Sequence, residues 1–172
     1  METIHTERLT LRAWAETDAE DFYAYAKHPE VGLNGGWPPH QSQAESLETI
    51  RYFIEAADIW AIVLKATGKV IGSVGLHKDN KRPNIAVKEL GFCLSADHWG
   101  QGFATEAAKA AITHGFHTMH LDLISTYHKT FNTRAKRVIE KCGFTHEGTL
   151  RQASKRYDGQ IFDAACYSIL DQ

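Results

Sequence analysis

The sequence has little of what marks disulfide-rich, membrane-spanning or nucleic-acid-binding proteins. Only three of its 172 residues are cysteines, an odd number with no CxxC pair, which argues against a disulfide framework and a zinc finger. The longest apolar run, residues 59–64, falls far short of the about 20 residues that a membrane span needs. Basic and acidic side chains nearly balance, at 19 and 21, so no sequence-wide attraction to nucleic acid or to a membrane surface is expected.

The amino-terminal segment and the cysteines give an expectation of location. Residues 1–12 contain no apolar segment of the kind found in secretory signals. We therefore expect a cytoplasmic protein, in which Cys93, Cys142 and Cys166 are small apolar core residues in a reducing environment.

Histidine is abundant, with ten in the chain, and His114, His117 and His120 recur at every third position. That spacing carries the three side chains progressively around a helix, and no carboxylate or thiol completes a ligand set. The sequence therefore predicts no metal site.

Length and hydrophobic periodicity predict one domain, residues 1–172, of mixed α/β or α+β class. Alternation and short apolar runs predict about seven strands, at residues 9–12, 59–64, 70–76, 90–94, 121–127, 144–150 and 161–170. About four helices are predicted: one capped by Thr17 with Glu20, one capped by Ser42 with Glu45, one over 104–116, and one capped by Asn132. Residues 32–39, rich in glycine and proline, are predicted as a loop.

The helix predicted over 104–116 has a face of alanine and glycine, which would let it lie close to a sheet. Because a strand is predicted on either side of it, we expect the two strands to be parallel and joined by a right-handed crossover.

The segment between the fourth predicted strand and this helix carries the clearest chemical signal. Backbone N–H groups at such a helix start are unpaired, and Gly100 and Gly102 would let a phosphate or diphosphate approach them closely. The alternative is that the two glycines serve only a tight turn. A Walker A loop is absent, and GQGFAT lacks the last glycine of a dinucleotide fingerprint, although Asp122 lies 20 residues after Gly102.

The same segment, WGQGFATEA, resembles the pyrophosphate loop of the GNAT superfamily of acetyl-CoA-dependent N-acetyltransferases, whose pattern is [Q/R]xxGx[G/A]. Gly102 and Ala104 match the last two positions. Trp99 stands at the first position, as in the RimJ/RimL-like branch that acetylates the N-termini of ribosomal proteins. TERLTLR at residues 6–12, ELGF at 89–92 and the motif that runs from Asn132 to Arg151 resemble further parts of that branch, in order and over nearly the whole chain.

The resemblance implies a GNAT fold, with the fourth and fifth strands splayed apart, and acetyl-CoA as cofactor. It implies that the cofactor diphosphate is held by the backbone amides of Gly100, Gln101, Gly102, Phe103, Ala104 and Thr105. The pantetheine arm would pair with the backbone of Phe92, Cys93 and Leu94, one amide of which would polarise the thioester carbonyl. Asn132 would contact the cofactor from the last helix, and a homodimer is expected from the resemblance alone.

The implied reaction is direct attack of a neutral amine on the acetyl thioester, with both substrates bound. An alkyl ammonium has a pKa of about 10, so a base is needed, and we expect Glu89 to be that base, with His77 as a second candidate. Ala135 stands where the branch carries a serine that would protonate the leaving thiolate. Tyr127, Thr133 or solvent could replace it, or the thiolate leaves unprotonated.

The acceptor pocket is expected from the 32–39 loop, the second helix and the 151–161 hairpin, with Trp37, His77, Arg151 and Tyr157 as candidate lining residues. Trp37 could equally be a hydrophobic clasp on the core. The expected acceptor is a protein N-terminal amine. A small amine such as an antibiotic or a polyamine, a CoA-binding sensor without turnover and a dinucleotide-binding domain stay open as alternatives.

Overall fold

A computed structural model describes residues 1–171, which form an eight-stranded sheet with five α-helices. The strands are β1 Ile4–His5, β2 Leu9–Arg12, β3 Ile59–Leu64, β4 Val70–Lys78, β5 Val87–Leu94, β6 Leu123–Lys129, β7 Thr145–Lys155 and β8 Ile161–Leu170. The helices are α1 Ala19–Ala26, α2 Pro29–Gly35, α3 Gln43–Ala56, α4 Phe103–His117 and α5 Thr133–Lys141. Within these residues no helix has both the length and the apolar character needed to cross a bilayer.

Two elements exceed the predicted seven strands and four helices. Strand β1 is only two residues long, too short for an alternating pattern to show. Helix α2 occupies part of the predicted 32–39 loop, so that prediction was wrong for residues 32–35. The helix begins at Pro29, ends at Gly36 with φ 98°, and buries Val31, so packing overrides the poor helix propensity of its glycines.

The two predicted capping boxes have different outcomes. The Ser42 hydroxyl accepts from the Glu45 amide at 3.2 Å, which confirms the start of α3. The prediction that Thr17 caps the first helix was wrong, because the carboxylate of Asp18 makes the capping contact in that turn. It accepts from the Ala15 amide and binds Arg12 through two bonds of 2.7 Å.

The strands follow the order β1-β2-β3-β4-β5-β6-β8-β7. Every neighbouring pair is antiparallel except β5 and β6, which are parallel and are joined by α4, as predicted. Helix α4 packs its small-residue face on the sheet, with Ala107, Ala108 and Ala111 fully buried. A Cβ at Gly115 would lie 2.8 Å from Ile124 Cδ1, so the close approach needs glycine there.

The sheet buries one hydrophobic cluster on each face. One cluster contains the inner side of α4, and the other contains Trp14, Phe22 and Ile50 with α1 and α3. Adjacent residues of β3, Ala61 and Ile62, belong to different clusters because successive side chains of a strand point to opposite faces.

Strands β5 and β6 separate into a fork, which confirms the expected splay. They pair only at Val87–Leu123, Lys88–Ile124 and Glu89–Ser125. Beyond Glu89, β5 continues to Leu94 and β6 to Lys129 without pairing to each other. The Thr126 hydroxyl donates to the Leu90 carbonyl oxygen at 2.8 Å and fixes the point of divergence.

Candidate active site

The loop between β5 and α4 has the conformation that its glycines allow. Gly100 and Gly102 have φ values of 76° and 84°, in the left-handed region that favours glycine. Gly102 is the N-cap of α4 and has no side chain that could accept a hydrogen bond. The N–H groups of the first helical residues are therefore available to a ligand. A helix start of this kind attracts an anion through these N–H groups and through the helix dipole.

Two side chains outside the glycine pair hold this loop in place. The Trp99 indole N–H donates to the Leu94 carbonyl oxygen at 2.9 Å, which joins the loop to the end of β5. Arg8 donates to the Gln101 carbonyl oxygen at 3.0 Å, and its guanidinium lies 4.4 Å from the centre of the Phe103 ring. Arg8 was missed in the sequence because its partners lie more than 90 residues away in the chain.

Glu106 anchors Arg8 from the first turn of α4. Its carboxylate accepts from the Arg8 side chain at 2.7 Å, from the Arg8 amide at 2.9 Å and from the Thr6 hydroxyl at 2.6 Å. Burial acts to raise the pKa of Glu106, but these hydrogen bonds outweigh it and hold that pKa below its ordinary value.

A first cavity of about 550 Å³ lies between this loop, the second half of β5, α2 and α5. Nine of the ten predicted cofactor residues line it: Phe92, Cys93, Leu94, Gly100, Gly102, Phe103, Ala104, Thr105 and Asn132. Gln101 does not, since its side chain donates to the Asp97 carbonyl oxygen and its own carbonyl is held by Arg8.

Helix α5 brings positive charge to the first cavity. Arg134, Arg137 and Lys141 all line it, and the Arg134 guanidinium lies 4.2 Å from the centre of the Trp99 ring. The Asn132 carboxamide oxygen accepts from the Ala135 amide at 3.0 Å, which confirms the predicted cap of this helix. Free amides at the start of α4, cations on α5 and an unpaired strand edge at β5 fit a diphosphate joined to an extended arm.

A second cavity of about 530 Å³ lies at the other side of the fork. Glu89, Tyr127, His77 and Trp37, all predicted site residues, line it. The two cavities have in common Asn34, Gly35, Phe92, Cys93, Asn132 and Ala135. They therefore meet where β5 and β6 diverge, and molecules bound in each would come together there.

Glu89 lies at the last paired position before the fork, opposite Ser125 of β6. One of its carboxylate oxygens accepts from the Lys81 ammonium at 2.9 Å. Lys81 also lies 5.6 Å from the centre of the Tyr127 ring. Partial burial and the Glu89 charge raise the pKa of Tyr127, so its hydroxyl is protonated near neutral pH and is a weaker acid than a free phenol.

His77 forms a dyad with a carboxylate at the edge of the same cavity. Its Nδ1 lies 3.2 Å from Asp58 Oδ2, which orients the imidazole. A Cβ at Gly91 would lie 3.1 Å from His77 Nε2, and one at Gly75 would lie 2.9 Å from it. The two glycines leave room for the ring beside the fork, and Asp58 was not identified from the sequence.

The remaining acceptor predictions divide. Trp37 lines the second cavity, and its ring also covers Gly35 so closely that no side chain would fit there. The two alternatives for Trp37, a pocket residue and a hydrophobic clasp, are therefore compatible. Arg151, on β7, and Tyr157, in the β7–β8 turn, line neither cavity, and both side chains are exposed. No sequence pattern indicated the second-cavity residues of β6 beyond Tyr127, among them His128 and Lys129.

The cysteine at the fork is not activated. Burial raises the pKa of the Cys93 thiol to about 12, so a thiolate nucleophile is not available there near neutral pH.

Comparison with known proteins gives the family. The protein-family model for the acetyltransferase (GNAT) domain matches residues 8–145 of this chain. The chain is 31% identical to "Uncharacterized N-acetyltransferase p20" of Bacillus licheniformis over 99% of this chain and 97% of that protein. It is 26% identical to "Putative ribosomal N-acetyltransferase YdaF" of Bacillus subtilis over 95% of this chain and 92% of that one. A GNAT-family acetyltransferase structure from Bacillus anthracis superposes with a TM-score of 0.89, at 24% identity and 98% coverage of both chains.

The chain therefore belongs to the GNAT acetyltransferase family. It is an acyltransferase that uses acetyl-CoA, and the first cavity has the groups that such a cofactor needs. The alternatives of a dinucleotide-binding domain and of a sensor without turnover are set aside by this membership.

Proposed function

We propose that the protein transfers the acetyl group directly to a primary amine held in the second cavity, and that this amine is a protein N-terminus. The observation that carries the proposal is the meeting of the two cavities at the β5–β6 fork, where both substrates can be bound together. The name of the relative YdaF, a putative ribosomal N-acetyltransferase, supports the protein acceptor. A cytoplasmic location and a homodimer remain expectations that accompany this proposal.

The first cavity binds and orients the acetyl donor. Acetyl-CoA supplies an acetyl group activated as a thioester. The amides at the start of α4, with Gly100 and Gly102, bind its diphosphate, and α5 adds cations beside them. The β5 backbone at Phe92, Cys93 and Leu94 aligns the arm, and one of its amides stabilises negative charge on the carbonyl oxygen.

Deprotonation of the acceptor ammonium is assigned to the second cavity. Glu89 has one carboxylate oxygen engaged by Lys81 and accepts the proton on the other. His77, oriented by Asp58, is the second candidate for the same role. Both side chains line the cavity in which the amine would lie.

Protonation of the leaving thiolate is assigned to Tyr127. Ala135 has no hydroxyl, although it lies where the two cavities meet. The Tyr127 hydroxyl, protonated near neutral pH, lines the acceptor cavity and can supply the proton. A thiol with a pKa of about 8.5 also leaves tolerably as the thiolate, so the loss of Tyr127 should slow the reaction without abolishing it.

A small amine is the second candidate acceptor. A cavity of about 530 Å³ with Phe22, Trp37, Tyr52 and Phe53 in its walls is within the size range of small-molecule sites.

An acceptor panel tests the proposal by release of CoA and by the mass of the product. It contains short peptides with free N-termini, the same peptides with blocked N-termini, a polyamine and an aminoglycoside. Acetylation of the free N-terminus alone is the expected result. Acetylation of the polyamine or the aminoglycoside, with no reaction of the peptides, would contradict the protein acceptor.

A further inference from the structure

Lys129, the last residue of β6, is a buried cation in the wall of the acceptor cavity. Its exposed fraction is only 8%, and it lines the second cavity but not the first. Its ammonium lies against the end of α2, since a Cβ at Gly36 would be 2.6 Å from Nζ. Within residues 1–171 it forms no ion pair with a carboxylate.

The surroundings of Lys129 do not compensate its charge. Burial is the main cause that lowers its pKa, and the charge of Arg156 lowers it further. Arg156 itself pairs with Asp158, Glu89 pairs with Lys81, and Asp58 pairs with His77. The end of α2 offers only the partial negative charge of a helix terminus.

Such a cation is costly to keep in a fold, because burial of the side chain without a carboxylate partner removes part of the hydration of its charge. A hydrophobic side chain of similar length would fill the same place more favourably. Retention of an ammonium at a cavity wall is therefore explained best by a ligand that brings the missing negative charge.

We propose that Lys129 binds a carboxylate or phosphate group of the acceptor, so that the preferred acceptor is an amine with an anionic group close to it. The inference rests on the proposed function, in which the second cavity holds the acceptor. The Asn132 amide donates to the Lys129 carbonyl oxygen at 2.7 Å, and Asn132 is one of the residues at which the two cavities meet. Because Lys129 and the proposed amine site share one cavity of about 530 Å³, we expect the anionic group and the amine to lie close together on the same acceptor.

The test compares matched acceptors that differ only in charge. Peptides that begin with Asp or Asn, peptides that begin with Glu or Gln, and phosphoethanolamine against ethanolamine are assayed with the wild-type protein, Lys129→Met and Lys129→Glu. The expected wild-type preference for the anionic member is at least about tenfold in kcat/KM, the effect of one charge-assisted hydrogen bond. Lys129→Met should remove the preference, and Lys129→Glu should reverse it. The peptide and phosphate pairs distinguish a carboxylate from a phosphate as the recognised group.

Three controls separate this role from others. Lys155→Met removes an exposed lysine that lines neither cavity and should leave the acceptor preference unchanged. Affinity for acetyl-CoA should be the same in Lys129→Met as in the wild type. The melting temperature of Lys129→Met should equal or exceed that of the wild type, since a buried unpaired cation has been removed.

Binding in the presence of CoA, measured by calorimetry, gives the same comparison without turnover. If the wild-type protein binds the anionic amine more tightly but acetylates no amine, the proposed function fails and the role of Lys129 stands. Equal binding of both members of each pair would overturn the role of Lys129. A lower acetyl-CoA affinity or a marked loss of stability in Lys129→Met, with acceptor preference intact, would overturn it as well.

Discussion

At the residue scale, the loop between β5 and α4 depends on two glycines in the left-handed region. Gly100 has open space around the position of a Cβ, and a Cβ at Gly102 would come no closer than 3.4 Å to Arg8. The conformation of the backbone, with φ values of 76° and 84°, therefore explains glycine at both positions better than packing does.

Gly102→Glu is expected to abolish acetyl-CoA binding, because a side chain and a negative charge would stand beside the diphosphate. Titration calorimetry with acetyl-CoA measures the loss. Gly159→Ala is the matched control, since Gly159 has φ 86° in the β7–β8 turn and lines neither cavity. It should cost about 1–2 kcal/mol of stability and leave the affinity intact. Normal affinity of Gly102→Glu would refute the placement of the cofactor.

The two candidate bases can be separated by substitution. Glu89→Gln is expected to lower kcat near neutral pH by about 100-fold or more, with acetyl-CoA affinity unchanged, because a proton acceptor is removed from the acceptor cavity. Steady-state kinetics over a range of pH measures the effect, and His77→Gln is compared in parallel.

If His77 is the base instead, Glu89→Gln keeps wild-type turnover and His77→Gln loses it. Asp58→Asn would then lower kcat/KM in the same direction as His77→Gln, since the Asp58 carboxylate contacts the imidazole at Nδ1 and orients it. A merely structural Asp58 would change stability without lowering kcat/KM.

At the scale of elements, the segment before β2 is tied to the start of α4. Thr6 and Arg8 bind the Glu106 carboxylate, and Arg8 also binds the loop at Gln101. This contact joins the segment before β2 to the loop between β5 and α4 and holds that loop in place. Arg8 is thus a positioning residue for the first cavity.

Glu106→Gln is expected to destabilise the protein near neutral pH by about 1–3 kcal/mol, because Arg8 loses a charged acceptor. The folded-state pKa of Glu106 is depressed, so its contribution is present above the unfolded pKa of about 4.3 and is lost as pH falls through the folded value. Urea unfolding near neutral pH and in acid should show the difference between the two proteins shrinking in acid. Arg51→Gln, which breaks the exposed Glu16–Arg51 pair, is the control and should have little effect. A difference that stays constant with pH would contradict the assignment.

At the scale of the whole molecule, the sequence predicted the parallel β5–α4–β6 unit because Gly100, Gly102 and the alanine face of α4 are local signals. It predicted the fork and most of the first cavity through the resemblance of the glycine loop. The second cavity was predicted less completely, because Lys129 and the α2 residues reach it from separate parts of the chain. Asp58, which contacts the cavity residue His77, also lies far from it in sequence. Arg151 and Tyr157 were assigned to the second cavity because they lie in the predicted hairpin. Hydrophobic periodicity predicts the two strands of a hairpin but not the direction in which the hairpin extends.

Helix α2 shows why local propensity fails at this scale. The three glycines and two prolines of residues 32–39 indicate a loop, yet α2 forms because Val31 packs into the core and Gly36 ends the helix. Its Asn34 and Gly35 then contribute to both cavities. The segment that joins the two sites was thus the one whose structure the sequence predicted least well.

The central claim, that donor and acceptor occupy adjoining cavities at the same time, is tested most directly by initial-velocity kinetics with both substrates varied. Direct transfer in a ternary complex predicts reciprocal plots that intersect, and no acetylated protein after incubation with acetyl-CoA alone. Parallel plots, together with a stable acetyl group on the protein, would contradict the claim by showing that an acyl-enzyme carries the group between two separate binding events.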